Sequence, residues 1–223
     1  MDYVHRSERE AKLARAIARM TSAQQRKLFE IMGNPPKIEN VGYEYWNGHL
    51  AAWQGVLTPE LESIFVDSAI EMLAANTAIG VSWDLVNQDA ADWARQYGGK
   101  LAGDVDARTL QGVRDAIADF YDQGENLGQL RERLGRWYGP ARATTIATTE
   151  VTRAAVEGER AVVAELAKEG IEMVPIHQTN NDELVCPRCG PRHGKQITDG
   201  IFPPLHTRCR CWVTHEFAQP VIQ

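Results

Sequence analysis

All four cysteines of this 223-residue chain fall between positions 186 and 211, in the runs Cys186-Pro-Arg-Cys189 and His206-Thr-Arg-Cys209-Arg-Cys211. A Cys-x-x-Cys pair followed one loop later by His-x-x-Cys is the spacing of a structural Zn2+ site. The tetrahedral ion needs four thiolate or imidazole ligands, and each short spacing lets one turn present two. Five residues compete for the four places. The matched spacing favours Cys186, Cys189, His206 and Cys209; a four-cysteine set that uses Cys211 is the alternative, and His193 is a weaker candidate. Pro187 fixes its own φ in the first turn, Gly190-Pro191 ends that turn, and Phe202-Pro203-Pro204-Leu205 leads into the second without helix. Four protein ligands leave no open position for water, so the expected role is a staple and not a reaction centre. The competing reading is a pair of disulfides, which needs an oxidising compartment. The opening residues, MDYVHRSEREAKL, are charged and carry no apolar signal region, so metal is the expectation.

A chain of this length with 43% hydrophobic residues can bury a core as one large or two modest domains. No apolar run approaches the roughly 20 residues of a membrane span, and a soluble, cytosolic-type protein is expected. A net charge of −6 argues against attraction of nucleic acid over the whole surface, yet basic residues gather in two places. Arg6, Arg9, Lys12, Arg15, Arg19, Arg26 and Lys27 enrich the first segment, diluted by Glu8, Glu10 and Glu30. Arg188, Arg192, Lys195, Arg208 and Arg210 surround the cysteines and are candidate nucleic-acid contacts.

A series of helices must position this loop. Residues 7–31 carry Leu13, Ile17, Met20, Leu28 and Ile31 at loosely helical spacing, expected as an arm that needs a partner surface. Gly33-Asn34-Pro35-Pro36 breaks it. The aromatic stretch that follows to Gly55, with Tyr43, Tyr45, Trp46 and Trp53, shows no clear period and is expected as a docked linker whose rings anchor a core rather than stack on bases. Thr58 and Pro59 read as the N-cap and first position of a helix to about Ala75, with Leu61, Ile64, Phe65 and Met72 on one stripe. Asn87 caps a second helix that Gly98-Gly99 ends, and Asp106 opens a third that runs to Gly124. Asn126 starts a fourth, carrying Leu130, Leu134 and Trp137, and a fifth follows Gly139-Pro140 and ends near Gly170. Small residues in the fifth, among them Ala147, Ala154, Ala155 and Ala161, let another element approach closely. Residues 171–176, 195–198 and 211–217 read as short strands of a sheet too small to hold by itself, which gives a metal a physical task. The reading is α+β in three parts: an arm and aromatic linker over 1–56, a helical region over 57–139, and a metal-stapled small-sheet domain over 140–223.

The helix motif Ile146-Ala-Thr-Thr-Glu-Val-Thr-Arg-Ala154, Asp182 ahead of Cys186-Pro-x-Cys189, Gly194-Lys195, and the closing Pro203-Pro-Leu-His-x-x-Cys-Arg-Cys211 together resemble the Mu F-like phage head morphogenesis family, also called minor head or minor capsid proteins. The closing motif is long and specific, and the resemblance spans residues 81–217; the 80 residues before it match the family poorly. It implies a low-copy component of a tailed-phage or prophage head, associated with the portal vertex and serving assembly, DNA packaging or ejection. The implied partners are the portal protein, other head proteins and phage DNA, with no membrane and no small-molecule substrate. The implied location is the bacterial host cytoplasm during assembly and the virion head afterwards. Thr207-Arg208 stands where the family usually has Pro-Asn, a departure that leaves every proposed ligand in place.

Glu150 and Arg153, three apart on one helix, are expected as a structural ion pair. His177 and His215 read as isolated strand residues at a solvent edge. The alternative function is a zinc-ribbon nucleic-acid-binding module, and a lesser one is a metal-assisted nuclease built on His193 and Glu150. No catalytic constellation independent of the family is visible, so an enzyme is not expected.

Overall fold

Helical hydrogen bonding runs through several of this chain's breakers. The computed structural model describes residues 5–75, 83–180 and 185–218, so Val81 and Asp182 of the resemblance lie outside the described residues. Within them, α1 Arg6–Met32, α2 Tyr43–Ala75, α3 Trp83–Asp122, α4 Leu127–Tyr138 and α5 Pro140–Lys168 precede β1 Met173–Gln178, β2 Lys195–Gln196 and β3 Trp212–Phe217. The chain is mainly helical with a small antiparallel sheet near its C-terminus, an α+β arrangement.

Four expectations need correction. The aromatic stretch is the first half of α2 and not a linker: Tyr45, His49, Trp53 and Leu57 recur every four residues and are all buried, but a polar residue within that stripe hides its helical period. Thr58 and Pro59 therefore lie inside α2. Leu57 and Leu61, fully buried on either side, keep the backbone helical past a proline that removes one ladder bond. Gly98-Gly99 does not stop α3, and Asn87 and Asp106 begin nothing. A Cβ at Gly98 would stand 2.9 Å from Thr58 Oγ1, so the glycine there serves a close helix contact, which offsets its roughly 1 kcal/mol helical disadvantage. The N-terminal helix forms as expected, but Leu13, Ile17, Leu28 and Met32 are fully buried, so most of it is core and not a free arm. The fourth helix starts as its sequence indicates, with Asn126 and Gln129 forming a reciprocal capping box.

Contacts divide the chain into two units. One comprises residues 11–60 and 94–145. Its core joins Leu28, Met32, Tyr45, Val113, Ile117, Leu130, Leu134 and Tyr138, and the Tyr45 hydroxyl donates to the carbonyl of Gln24 at 3.1 Å. The other takes the start of α1, residues 61–93 and the chain from 146 onward. In it Phe65, Ala69 and Met72 of α2 pack with Val86 and Ala90 of α3 and with Val162 and Leu166 of α5. Gly158 permits that packing: a Cβ there would meet the Phe65 carbonyl oxygen at 2.2 Å. The small residues of α5 do allow the close approach that the sequence suggests.

The sheet of this second unit has the order β2-β1-β3, both pairs antiparallel. In its register His177 faces Lys195 on one side and Val213 on the other. The sheet packs on α5 through Ile197 and Val213 against Val156, with Phe202 alongside. A cluster with three buried side chains is thin support for the long loops between the strands.

Candidate metal centre

Two matching turns build the centre. In the first, the amide of Cys189 donates to the Cys186 carbonyl at 3.0 Å; in the second, the amide of Cys209 donates to the His206 carbonyl at 3.2 Å. Each turn thus brings its first and fourth residues to one side, as ligand spacing requires. Cys186 Sγ and Cys189 Sγ lie 3.1 and 3.3 Å from His206 Nε2, and Cys189 Sγ lies 3.9 Å from Cys209 Sγ. Metal–ligand bonds of about 2.3 Å to sulfur and 2.0 Å to nitrogen give tetrahedral edges of about 3.5–3.8 Å, so these separations suit a shared ion. The four cysteines are free thiols. At 3.9 Å the Cys189 and Cys209 sulfurs are far beyond the roughly 2.05 Å of a disulfide.

The His206 ring is oriented for ligation. Its Nδ1 donates to the Thr207 carbonyl at 2.8 Å, which leaves the Nε2 lone pair facing the sulfurs. That carbonyl, ahead of the nearby thiols, raises the imidazole pKa above its ordinary value. The sulfurs divide their protons unequally. A hydrogen bond from Cys211 holds the Cys209 thiol at about 5, burial pushes Cys189 up to about 12, and the Cys209 neighbour together with burial raises Cys211. Cys186 is lowered because hydrogen bonds from Cys189 and Arg188 outweigh its desolvation. Without a cation, four clustered sulfurs cannot all ionise; a bound divalent ion removes that conflict. The Cys/His cluster can hold a metal ion, and a cavity of about 230 Å3 opens on Cys186, Cys189, Cys211 and His206.

Helix α5 carries the second turn. The Thr152 hydroxyl donates to the Cys209 carbonyl at 2.8 Å and accepts from Arg6 Nη1 at 3.0 Å, while the Thr149 hydroxyl accepts the Arg208 amide at 2.9 Å. Glu10 at the start of α1 accepts from Arg210 at 2.8 Å and from Thr148 at 3.3 Å. The hydroxyls of Thr149 and Thr152, three residues apart on α5, therefore grip the backbone that presents Cys209. Between them Arg208 adopts φ 60°, a left-handed conformation that asparagine tolerates better than arginine.

The other sequence candidates separate. Glu150 pairs with Arg153 at 3.3 Å, as expected. Arg192 is engaged by Asp199 at 2.6 Å and Arg210 by Glu10, whereas Arg188, Lys195 and Arg208 are exposed. His193 falls outside the two groups of clustered donors, and its Nδ1 accepts the Thr179 amide at 3.1 Å. His177 and His215 are not at a solvent edge. The His215 side chain is 6% exposed and His177 1%, because the register sets both on the core side of the sheet with Val213. His177 groups with Cys189 and Cys211, a placement that residue spacing alone does not reveal.

Residues 111–214 match the model of the family described as Phage Mu protein F like protein, a span that takes in the end of α3, α4, α5, the Cys/His loops and nearly all of the sheet. No curated protein and no solved structure matches the chain.

Proposed function

We propose, from the match of residues 111–214 to the Phage Mu protein F like family, that the chain is a minor head protein of a tailed phage or prophage, working in head morphogenesis at the portal vertex and aiding assembly, DNA packaging or ejection. The observation that carries this is the extent of the match: it covers the α5 threonine motif, the second turn that those threonines hold, and the first turn as well. The role is structural. Soft thiolates with imidazole suit Zn2+, and Cys186, Cys189, His206 and Cys209 would hold it, with every position taken by protein and none left for a reacting water. The ion supplies cross-linking of two loops that the small sheet does not fix by itself. Portal and other head proteins are the partners, met in the host cytoplasm and retained in the virion.

The test is assembly without the protein. Heads made in its absence should be misassembled or fail to fill with DNA, and mature particles should contain the chain at low copy. Normal yields of filled, infectious particles lacking it would overturn the reading.

Nucleic-acid contact is a second reading favoured by the exposed Arg188, Lys195 and Arg208 around the turns. With Arg192 and Arg210 already neutralised, three phosphate contacts predict a slope of about −3 in log K against log salt on duplex DNA, instead of about −4.5 for five. Binding indifferent to ionic strength rejects this reading.

A further inference from the structure

The loops and the sheet bring together six soft donors, two more than one tetrahedral ion uses. His177 is the unexpected one. It is 1% exposed and neither ring nitrogen has a hydrogen-bond partner, a rare state for a buried imidazole in a native structure. Its ring nitrogen and the sulfurs of Cys189 and Cys211 lie within 4.8 Å of one another, and the same holds separately for Cys186, Cys189 and His206. The two triads share Cys189, and Cys209 Sγ stands 3.9 Å from it, close to the roughly 3.8 Å edge of a zinc–thiolate tetrahedron.

We propose that the centre binds two zinc-type divalent ions that share the thiolates of Cys189 and Cys209, with Cys186 and His206 completing one tetrahedron and His177 and Cys211 the other. Two tetrahedra need eight ligand positions, and six side chains fill them when two sulfurs bridge. The charge closes as well. Four thiolates balance two dications, whereas a single dication held by the thiolates of Cys186, Cys189 and Cys209 leaves one negative charge in a site where Cys189 and Cys209 are buried. Each cysteine still protonated gives its proton to solvent on binding, and no other bond breaks. The second ion also supplies the partner that the His177 ring lacks. It ties β1 to both turns, where a single ion ties only the turns to each other.

This inference rests on the zinc reading, and metal stoichiometry separates the two. Elemental mass spectrometry on the full chain, purified without chelator and dialysed after zinc loading, should give two ions per chain. His177→Ala and Cys211→Ser should each give one. Cobalt titration of the stripped wild-type protein offers a readout that needs no variant to fold. Thiolate-to-cobalt absorption should grow over two equivalents, and the electron paramagnetic signal of the first ion should fall as the second couples to it through the bridges. A wild-type ratio of one, retained in His177→Ala, overturns the second ion and leaves the staple standing. A ratio of zero overturns both. Two ions in wild type and still two in both variants rejects the assignment of His177 and Cys211.

Discussion

Replacing Thr152 by valine tests whether α5 carries the metal loop. Thr152 is fully buried, and valine copies its shape while deleting the hydroxyl. That hydroxyl bridges two groups, donating to the Cys209 carbonyl at 2.8 Å and accepting from Arg6 Nη1 at 3.0 Å. A neutral hydrogen bond contributes about 1 kcal/mol and one to a charged group about 1.5–3, so the variant should lose roughly 2–4 kcal/mol. For a chain of this size each kcal/mol lowers Tm by about 2–4 °C, which predicts a fall of about 4–16 °C. Thermal unfolding of metal-loaded protein measures it, and competition with a chelator should show faster metal loss because Cys209 is less firmly placed. Thr152→Ser keeps the hydroxyl and serves as the control, expected to retain most of the stability. If valine melted within a degree of wild type, or serine fell as far as valine, the hydroxyl relay would not be what holds the second turn.

Further outcomes follow from strain and from burial. Arg208→Asn should gain about 0.5–1 kcal/mol in denaturant unfolding, since the φ of 60° suits asparagine and the exposed arginine side chain gives up little packing; it should at the same time flatten the salt slope of any DNA binding by about one. Burial holds His215 at about 4, against an ordinary 6.5, even though Glu159 lies 3.8 Å from its Nδ1. The unfolded chain therefore takes up this proton first as pH falls. The stability tied to a neutral His215 is complete above pH 6.5 and lost progressively toward pH 4, about 3 kcal/mol in all. Comparing wild type with His215→Gln by urea unfolding at several pH values isolates that slope, and parallel pH profiles for the two proteins would refute it.

How much of this was legible in the sequence depends on what each signal reports. Local caps translate directly: Asn126 with Gln129, Gly124 at φ 63° and Gly170 at φ 77° stand where the helices turn. Glycine and proline inside α2 and α3 mislead because their local cost is about 1–3 kcal/mol each, small beside the burial of Trp53, Leu57, Leu61, Ala94 and Ala102 around them. Gly98 shows why no propensity scale could decide the matter. Its reason is the neighbouring Thr58 side chain, forty residues earlier in the chain.

The candidate metal centre divides along the same line. Cys-x-x-Cys and His-x-x-Cys announce themselves because each pair closes within one turn, so sequence distance stands for spatial distance. His177 has no such relation to the cysteines; strand register alone delivers it, by pairing it with Lys195 after the first turn and Val213 after the second. One clue was nonetheless present. If Val213 faces the core, the residue directly opposite it in an antiparallel pair faces the core too. A histidine in that position, at the end of a strand framed by the exits of two cysteine turns, is then a buried donor among thiols. The same alternation places His215 inward, two residues along from Val213. What separates the two histidines is distance from the turns: His177 groups with Cys189 and Cys211, and His215 meets Glu159 on α5. The second ion should accordingly depend on His177 and the acid sensitivity of the fold on His215, so that exchanging the two phenotypes in the corresponding variants would break the register argument itself.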